Sequence, residues 1–353
     1  MVTMTDVAKL AGVSTMTVSN VLNNRPHVRA ELRQRVLDAV DASGYVMNNA
    51  ARSLRRGSTG VIGLAVPELD RPYFGQLAAR VIARAADLGY RVAIEQTGAG
   101  VAGELAAIAL SRTLDCDGLI LSAVGLGPDE IRRLGQTIPL VLLGENPFEG
   151  IVDHVAMAND DGTRAATTHL VERGCRRIAW VSQHGPASEY SHAVWARGEG
   201  YRRALESAHL EPDPGLQPQL AALTMAEGAR AIHTLVDSGQ QFDGVVAVTD
   251  TVAFGVLRGL ADRGLTVPDD VRVIGFDDVV ESEYSVPSLS SVAPDHDWMI
   301  TTALDMLIAQ INGVPRERAE VTAPFRVVAR ESTQGQAVRR GAKTAAGTRA
   351  TKR

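Results

Sequence analysis

Apolar positions change rhythm along the chain. In residues 1–46 they recur in short helical runs with no strand pattern between them. Thr5 reads as the N-cap of a first helix that stops at Gly12, a residue able to take the left-handed conformation that closes a helix. Ser14 caps a second helix, TMTVSNVLN. A third spans roughly 30–43, with Leu32, Val36 and Val40 on one face and a stop at Gly44. These segments predict a small three-helix domain. From residue 61 the runs VIGLAV, RVAIEQ, GLILSA, LVLLG, RIAWVS, GVVAVT and VRVIGF alternate with amphipathic stretches such as FGQLAARVIARAADLGY. Repeated β-α-β units predict parallel sheets with helices on both faces. So many strands over residues 61–333 predict two sheets, with a ligand cleft at their carboxyl ends. Residues 334–353 lack a pattern that could bury a core and are expected to be a disordered basic tail.

Composition narrows this picture. The chain has 353 residues, 45% hydrophobic and 22% charged, which excludes wholesale disorder and favours more than one domain. No apolar run reaches the roughly 18 residues of a membrane-spanning helix. The start, MVTMTDVAKL, has no signal-peptide pattern, and two cysteines, Cys116 and Cys175, do not make a disulfide framework. Both observations predict a cytoplasmic protein without a membrane partner. Residues 1–60 carry 8 Lys and Arg against 4 Asp and Glu; residues 334–353 carry 6 basic residues and no acid. The stretch between holds 22 basic and 37 acidic residues. A basic head on an acidic body predicts that one end meets a polyanion, while the basic tail fits a role in solubility.

The first two helices, VAKLAGVSTMTVSNVLN, read as a helix-turn-helix. Ala8 and Leu10 would face Val18, Val21 and Leu22, leaving Thr15, Met16, Thr17 and Asn20 outward on the second helix, where base edges are read. Thr5 and Ser14 join them as backbone-proximal DNA candidates. The next segment, YVMNNAARSLRRGSTG, predicts a helix of about seven residues from Asn48 or Asn49, too short to stand alone in water. Its Arg52 and Arg55 suit phosphates. Leu54, its largest apolar side chain, suits a wedge into a minor-groove step, with packing on the body as the alternative.

These motifs, joined to DGTRAATTHLVERGCRRIAWVS, DTVAFGVLRGLADRGLTVPDDVRVIGFDD and the closing VVAREST, resemble the lactose-repressor/galactose-repressor family of bacterial transcription regulators over residues 3–333. The resemblance implies an α/β protein: an all-α helix-turn-helix head (1–46), a hinge helix and linker (47–60), and a two-subdomain doubly wound body of periplasmic-binding-protein type (61–333). Three chain crossings would divide that body into about 61–158 plus 288–320 and 159–287 plus 321–333. It also implies a ligand-responsive repressor, bound as a homodimer to near-palindromic double-stranded operator DNA, with no cofactor and no catalysis. Departures from the family pattern are Met47 where a Pro is usual, Asn20 where Arg is frequent, Arg71 for a frequent Asn, and Thr249 for an Asn. No counterpart of a tetramerising leucine tail is present.

The effector candidates come from the same resemblance. Tyr73 and Phe74 offer stacking surfaces, Ser122 ends a strand, and Asn159 and Asp160 open a helix. Arg197 would bind ligand oxygens through its planar fork, Asp277 would accept ligand hydroxyls, and Asp250 stands at a strand end. Capping and strand-end polarity are the alternative roles of Ser122, Asn159 and Asp160. Arg197 and Asp277 are expected on opposite walls, and Trp195 reads as a core aromatic. A sugar or related polyol is the first expectation for the effector, a purine-like molecule the second. Two other functions compete: a solute-binding receptor, and a nicotinamide-dependent enzyme suggested by GAGVAG at 98–103. That motif follows the second strand rather than the first, which argues against dinucleotide binding.

Overall fold

The computed structural model describes residues 2–22, 28–45, 58–98, 100–134, 138–144, 148, 150–183 and 192–334. The chain divides at Thr59/Gly60 into two units, described separately. In the head, α1 (Met4–Ala11), α2 (Thr15–Leu22) and α3 (Ala30–Ser43) enclose Val7, Ala8, Ala11, Val18, Val21, Val36 and Ala39. The cap of α1 is Thr3, not Thr5. Thr3 Oγ1 accepts from the Asp6 amide at 3.3 Å, and Asp6 accepts from the Thr3 amide at 2.9 Å, closing a reciprocal capping box. The Thr3 hydroxyl and amide hold the Asp6 carboxyl below its usual range. Leu10 is 59% exposed; the inward residue is Val7, which shares a face with Ala8 and Ala11. Gly12 takes φ 62°, and Arg35 of α3 donates to the carbonyl of Ala11 at 2.9 Å, a cation at the negative end of α1.

The body holds two sheets. In the first, β1 (Val61–Val66), β2 (Arg91–Gln96), β3 (Gly118–Ala123), β4 (Leu140–Gly144), β5 (Asp153–Ala156) and β10 (Glu320–Thr322) lie in the order β10-β5-β4-β3-β1-β2, all parallel. In the second, β6 (Ile178–Val181), β7 (Gly244–Ala247), β8 (Arg272–Phe276) and β9 (Ser290–Pro294) run parallel. Its edge strand β11 (Phe325–Val328) pairs antiparallel with β9. The intervening helices are α4 (Pro72–Asp87), α5 (Val101–Thr113), α6 (Pro128–Leu134), α7 (Asn159–Glu172), α8 (His192–Ser207), α9 (Met225–Asp237), α10 (Asp250–Asp262), α11 (Glu281–Tyr284) and α12 (His296–Ile311).

The chain crosses between sheets after β5, β9 and β10. The two return crossings differ from those expected. Ser288–Pro294 stays with the second sheet because Ser290 to Val292 pair with Ile274 to Phe276. Val321 and Thr322 stay with the first, paired with Val155 and Ala156. In the segment SLSSVAP three serines and a proline interrupt Leu289 and Val292, so no strand pattern shows in sequence and its place is set by tertiary pairing. The final helix α13 (Glu331–Gln334) includes Gln334 and clasps the second sheet. Ser332 donates to the carbonyl of Val273 at 2.6 Å, and the Thr333 hydroxyl meets His169 Nε2 at 2.9 Å. Burial of His169 lowers its imidazole to about 4, which keeps it neutral.

The GAGVAG segment has a packing explanation. A Cβ on Gly103 would lie 1.8 Å from the carbonyl oxygen of Thr97, so α5 can start against β2 only with glycine there. The next residue, Glu104, is fully buried and accepts from the amides of Val124, Gly125 and Leu126 at 2.8–2.9 Å. Glu104, directly after the motif, thus holds the loop after β3.

Candidate functional site

Parallel strands bring every β-to-α loop to one edge of each sheet, and those edges border a cleft of about 430 Å³ in the body. Such a volume is in the ordinary range for small-molecule sites. Tyr73, Phe74, Ser122, Arg197 and Asp277 line it; Asn159, Asp160 and Asp250 do not. Tyr73 and Phe74 open α4, with ring centroids 4.9 Å apart in an edge-to-face contact. Phe74 is largely buried, so it forms a floor more than an open stacking plate.

Arg197, on α8, is buried and its position is over-determined. Nε donates to Asn159 Oδ1 at 2.6 Å, Nη1 donates to the Val248 carbonyl at 2.6 Å, and Nη2 lies 3.5 Å from Asp277 Oδ1. The guanidinium also stacks 3.6 Å from the ring centre of Phe276. Arg197 and Asp277 are therefore neighbours in one ion pair rather than residues of opposite walls. Asn159 is a positioning residue for Arg197. Asp160 pairs with Arg203 at 2.9 Å, away from the cleft.

Asp277 follows β8 with φ 115°, a conformation that side-chain-bearing residues rarely adopt. Its amide donates to Val292 at 3.0 Å, and His296 Nε2 donates to its carbonyl at 2.7 Å. Burial raises its carboxyl above the ordinary value, opposed by the charges of Arg197, Arg71 and His296. Asp250 is the clamp beneath this turn. Its Oδ1 accepts from Ser291 Oγ at 2.6 Å; its Oδ2 accepts from Ser282 Oγ at 2.7 Å and the Val279 amide at 3.0 Å. Burial first, and then the charge of Asp277, push the Asp250 carboxyl well up. A Cβ on Gly275 would lie 2.2 Å from Asp250 Oδ1, so the glycine before Phe276 admits the clamp.

Sequence reasoning did not single out Glu68, Met157, Gln183, His192 or Thr224, which also line the cleft. Gln183 follows β6 by two residues, and Thr224 caps α9 through the Glu227 amide, so the strand-end and capping rules could have found both. Trp195 is 42% exposed, beside the ring of His192, and not a core residue. Thr249 lines the cleft and caps α10 through the Val252 amide.

In the head, Thr5, Ser14, Thr15 and Met16 are exposed, Met16 by 70%, while Thr17 and Asn20 are half-buried. Ser14 Oγ accepts from the Thr17 amide at 3.1 Å and so caps α2. The hinge candidates Asn48, Arg52, Leu54 and Arg55 lie outside the described residues, as do residues 335–353. Among the described residues no helix is long and apolar enough to cross a membrane.

Residues 3–48 match the model of bacterial regulatory proteins of the lacI family, and residues 167–333 match a periplasmic binding protein-like domain. The ribose operon repressor of Halalkalibacterium halodurans is 33% identical over 335 residues, spanning 95% of this chain and 98% of that protein. A LacI-family transcriptional regulator structure from Sanguibacter keddieii is 41% identical, covers 78% of this chain and 99% of its own, and superposes with a TM-score of 0.70. The lac repressor dimer bound to operator and an anti-inducer is 26% identical, with 94% and 99% coverage and a TM-score of 0.78. With a helix-turn-helix head, a two-sheet body and a ligand-sized cleft, this chain belongs to the LacI family of bacterial transcriptional regulators.

Proposed function

We propose that this regulator is a repressor that binds a near-palindromic operator as a homodimer and is controlled by a carbohydrate or related polyol in the body cleft. The observation that carries the effector class is the buried Arg197–Asp277 pair on the cleft lining, which sets donors beside an acceptor as a hydroxylated ligand requires. Tyr73, Phe74 and Ser122 complete the contact set. The described lining of the second subdomain contributes no Phe, Tyr or Trp, so a base sandwiched between two aromatics is the weaker reading. The relatives are regulators, one of them named for a ribose operon, and the cleft is read as a binding site rather than a catalytic one.

DNA would be read by Thr15, Met16, Thr17 and Asn20, with Thr5 and Ser14 near the backbone. Asn48, Arg52, Leu54 and Arg55 would act as a hinge in which Leu54 is the wedge. The ligand must favour one cleft geometry, since equal affinity for both shifts nothing. A coupling of about 1–3 kcal/mol suffices for regulation. The test is operator binding to the protein's own upstream DNA, followed by fluorescence anisotropy with and without candidate sugars. Affinity should fall steeply with salt, as phosphate contacts require. Asp277→Asn should abolish the sugar response while operator binding persists. A salt-independent affinity would remove the DNA assignment, and a normal response in Asp277→Asn would move the effector site elsewhere.

A further inference from the structure

Two arginines line the cleft, and they are in different states. Arg197 directs its nitrogens to partners within the protein. Arg71 sits immediately before α4 and makes one polar contact among the described residues, from Nη1 to Glu68 Oε2 at 3.0 Å. Its Nε is buried with no acceptor, and its Nη2 has none among the described residues. The guanidinium lies over the Phe74 ring, 5.2 Å from its centre, at the cleft wall. In arginine, Nε–H and one Nη–H point the same way and form a two-pronged edge that matches two oxygens of a carboxylate or phosphate.

We propose that the effector is an acidic carbohydrate whose carboxylate or phosphate oxygens dock on the Nε–Nη2 edge of Arg71, while its hydroxyls meet Asp277 and Arg197. The proposal rests on the reading of the cleft as a carbohydrate site. Charge is consistent with it. The charged lining residues are Glu68, Arg71, Arg197 and Asp277, with His192 beside them, and both acids already face an arginine. Asp277 is buried against Arg197 and cannot leave. Glu68 is 42% exposed, so an incoming anion can displace it into water at little cost, because half-exposed ion pairs contribute little. The amino end of the 16-residue α4, which has no side-chain cap, opens beside Arg71 and adds its partial positive charge.

The experiment uses the full-length protein with matched probes: glucose, gluconate, glucuronate and glucose 6-phosphate, then ribose and ribose 5-phosphate. Thermal shift selects binders, and calorimetry gives their affinities. An acidic member should bind at least tenfold more tightly than its neutral parent. Arg71→Asn, shown folded by circular dichroism, should erase that advantage, and Arg71→Lys should restore part of it by keeping the charge without the fork. The carboxylate and phosphate arms distinguish the two acid groups. A neutral parent binding as tightly as its acids, no acidic member binding, or undiminished acid affinity in Arg71→Asn would each overturn the proposal. If neutral sugars bind, the carbohydrate reading survives that failure; if no sugar binds but a nucleobase such as hypoxanthine does, both readings fall.

Discussion

On the second-subdomain side of the cleft, Arg197 donates to Asn159 and Val248 and sits against Asp277, while Asp250 accepts from three donors, all in the protein interior. On the first-subdomain side, the one side-chain hydrogen bond of Arg71 among the described residues goes to Glu68, which is substantially exposed. One wall is organised before any ligand arrives; the other keeps a loosely paired charge that a ligand can claim. Groups that are already ordered lose little entropy on binding, so under the proposed function the first wall would orient ligand oxygens. A half-exposed pair contributes little to folding, so under the proposal the second would be free to select among ligands.

The largest expected effect comes from removing the clamp under the ordered wall. Asp250→Ala strands the buried donors Ser282 Oγ and the Val279 amide, and leaves Ser291 Oγ only the Val292 carbonyl at 3.3 Å. Body stability should fall by roughly 3–5 kcal/mol, read from the urea midpoint, because each stranded donor costs about 1–3 kcal/mol. A loss below about 1 kcal/mol would show that the wall does not depend on this clamp.

An intermediate effect should follow pH through the clasp of the same subdomain. Burial holds His169 at about 4 in the folded protein, against its ordinary 6.5. Between those values only the unfolded chain takes up the proton. The contribution is therefore complete above pH 6.5 and is lost as pH falls toward 4, by an amount on the order of 3 kcal/mol. His169→Gln should flatten that part of the stability profile; an unchanged acid slope would place the proton uptake elsewhere.

The smallest effect belongs to the loose wall. Glu68→Gln removes the partner of Arg71 and should change stability by no more than about 0.5 kcal/mol, since the pair is solvated. A loss above about 1.5 kcal/mol would mean that this wall too is built for folding, and the contrast between the walls would disappear.

Much of the architecture was legible in the residue pattern because it depends on local periodicity. Seven strands, the three head helices and the glycine stops at Gly12 and Gly44 all rest on residues close in sequence. Errors arose where a local rule had two solutions. Thr3 and Thr5 can both cap a helix, and only the reciprocal bond with Asp6 selects Thr3. Leu10 looked inward by its hydrophobicity, yet the helix turns Val7 toward the core. The strand Ser290–Pro294 was invisible because serines and a proline break its apolar run, and pairing on both edges, with β8 and β11, makes it a strand.

Residue order alone specifies the succession and type of elements, the helix-turn-helix head, the two-sheet body and a set of polar residues at strand ends. Those features follow from spacings of two to four residues and from the edge that parallel strands share. The role of each polar residue came from the packing of distant segments. That packing joined Arg197 to Asp277, turned Asn159 into a support and Asp250 into a clamp, and gave Arg71 one hydrogen-bonded partner among the described residues, the exposed Glu68. Such roles depend on which groups are desolvated together across long separations in the chain, and burial of that kind is a property of packing that no local spacing encodes.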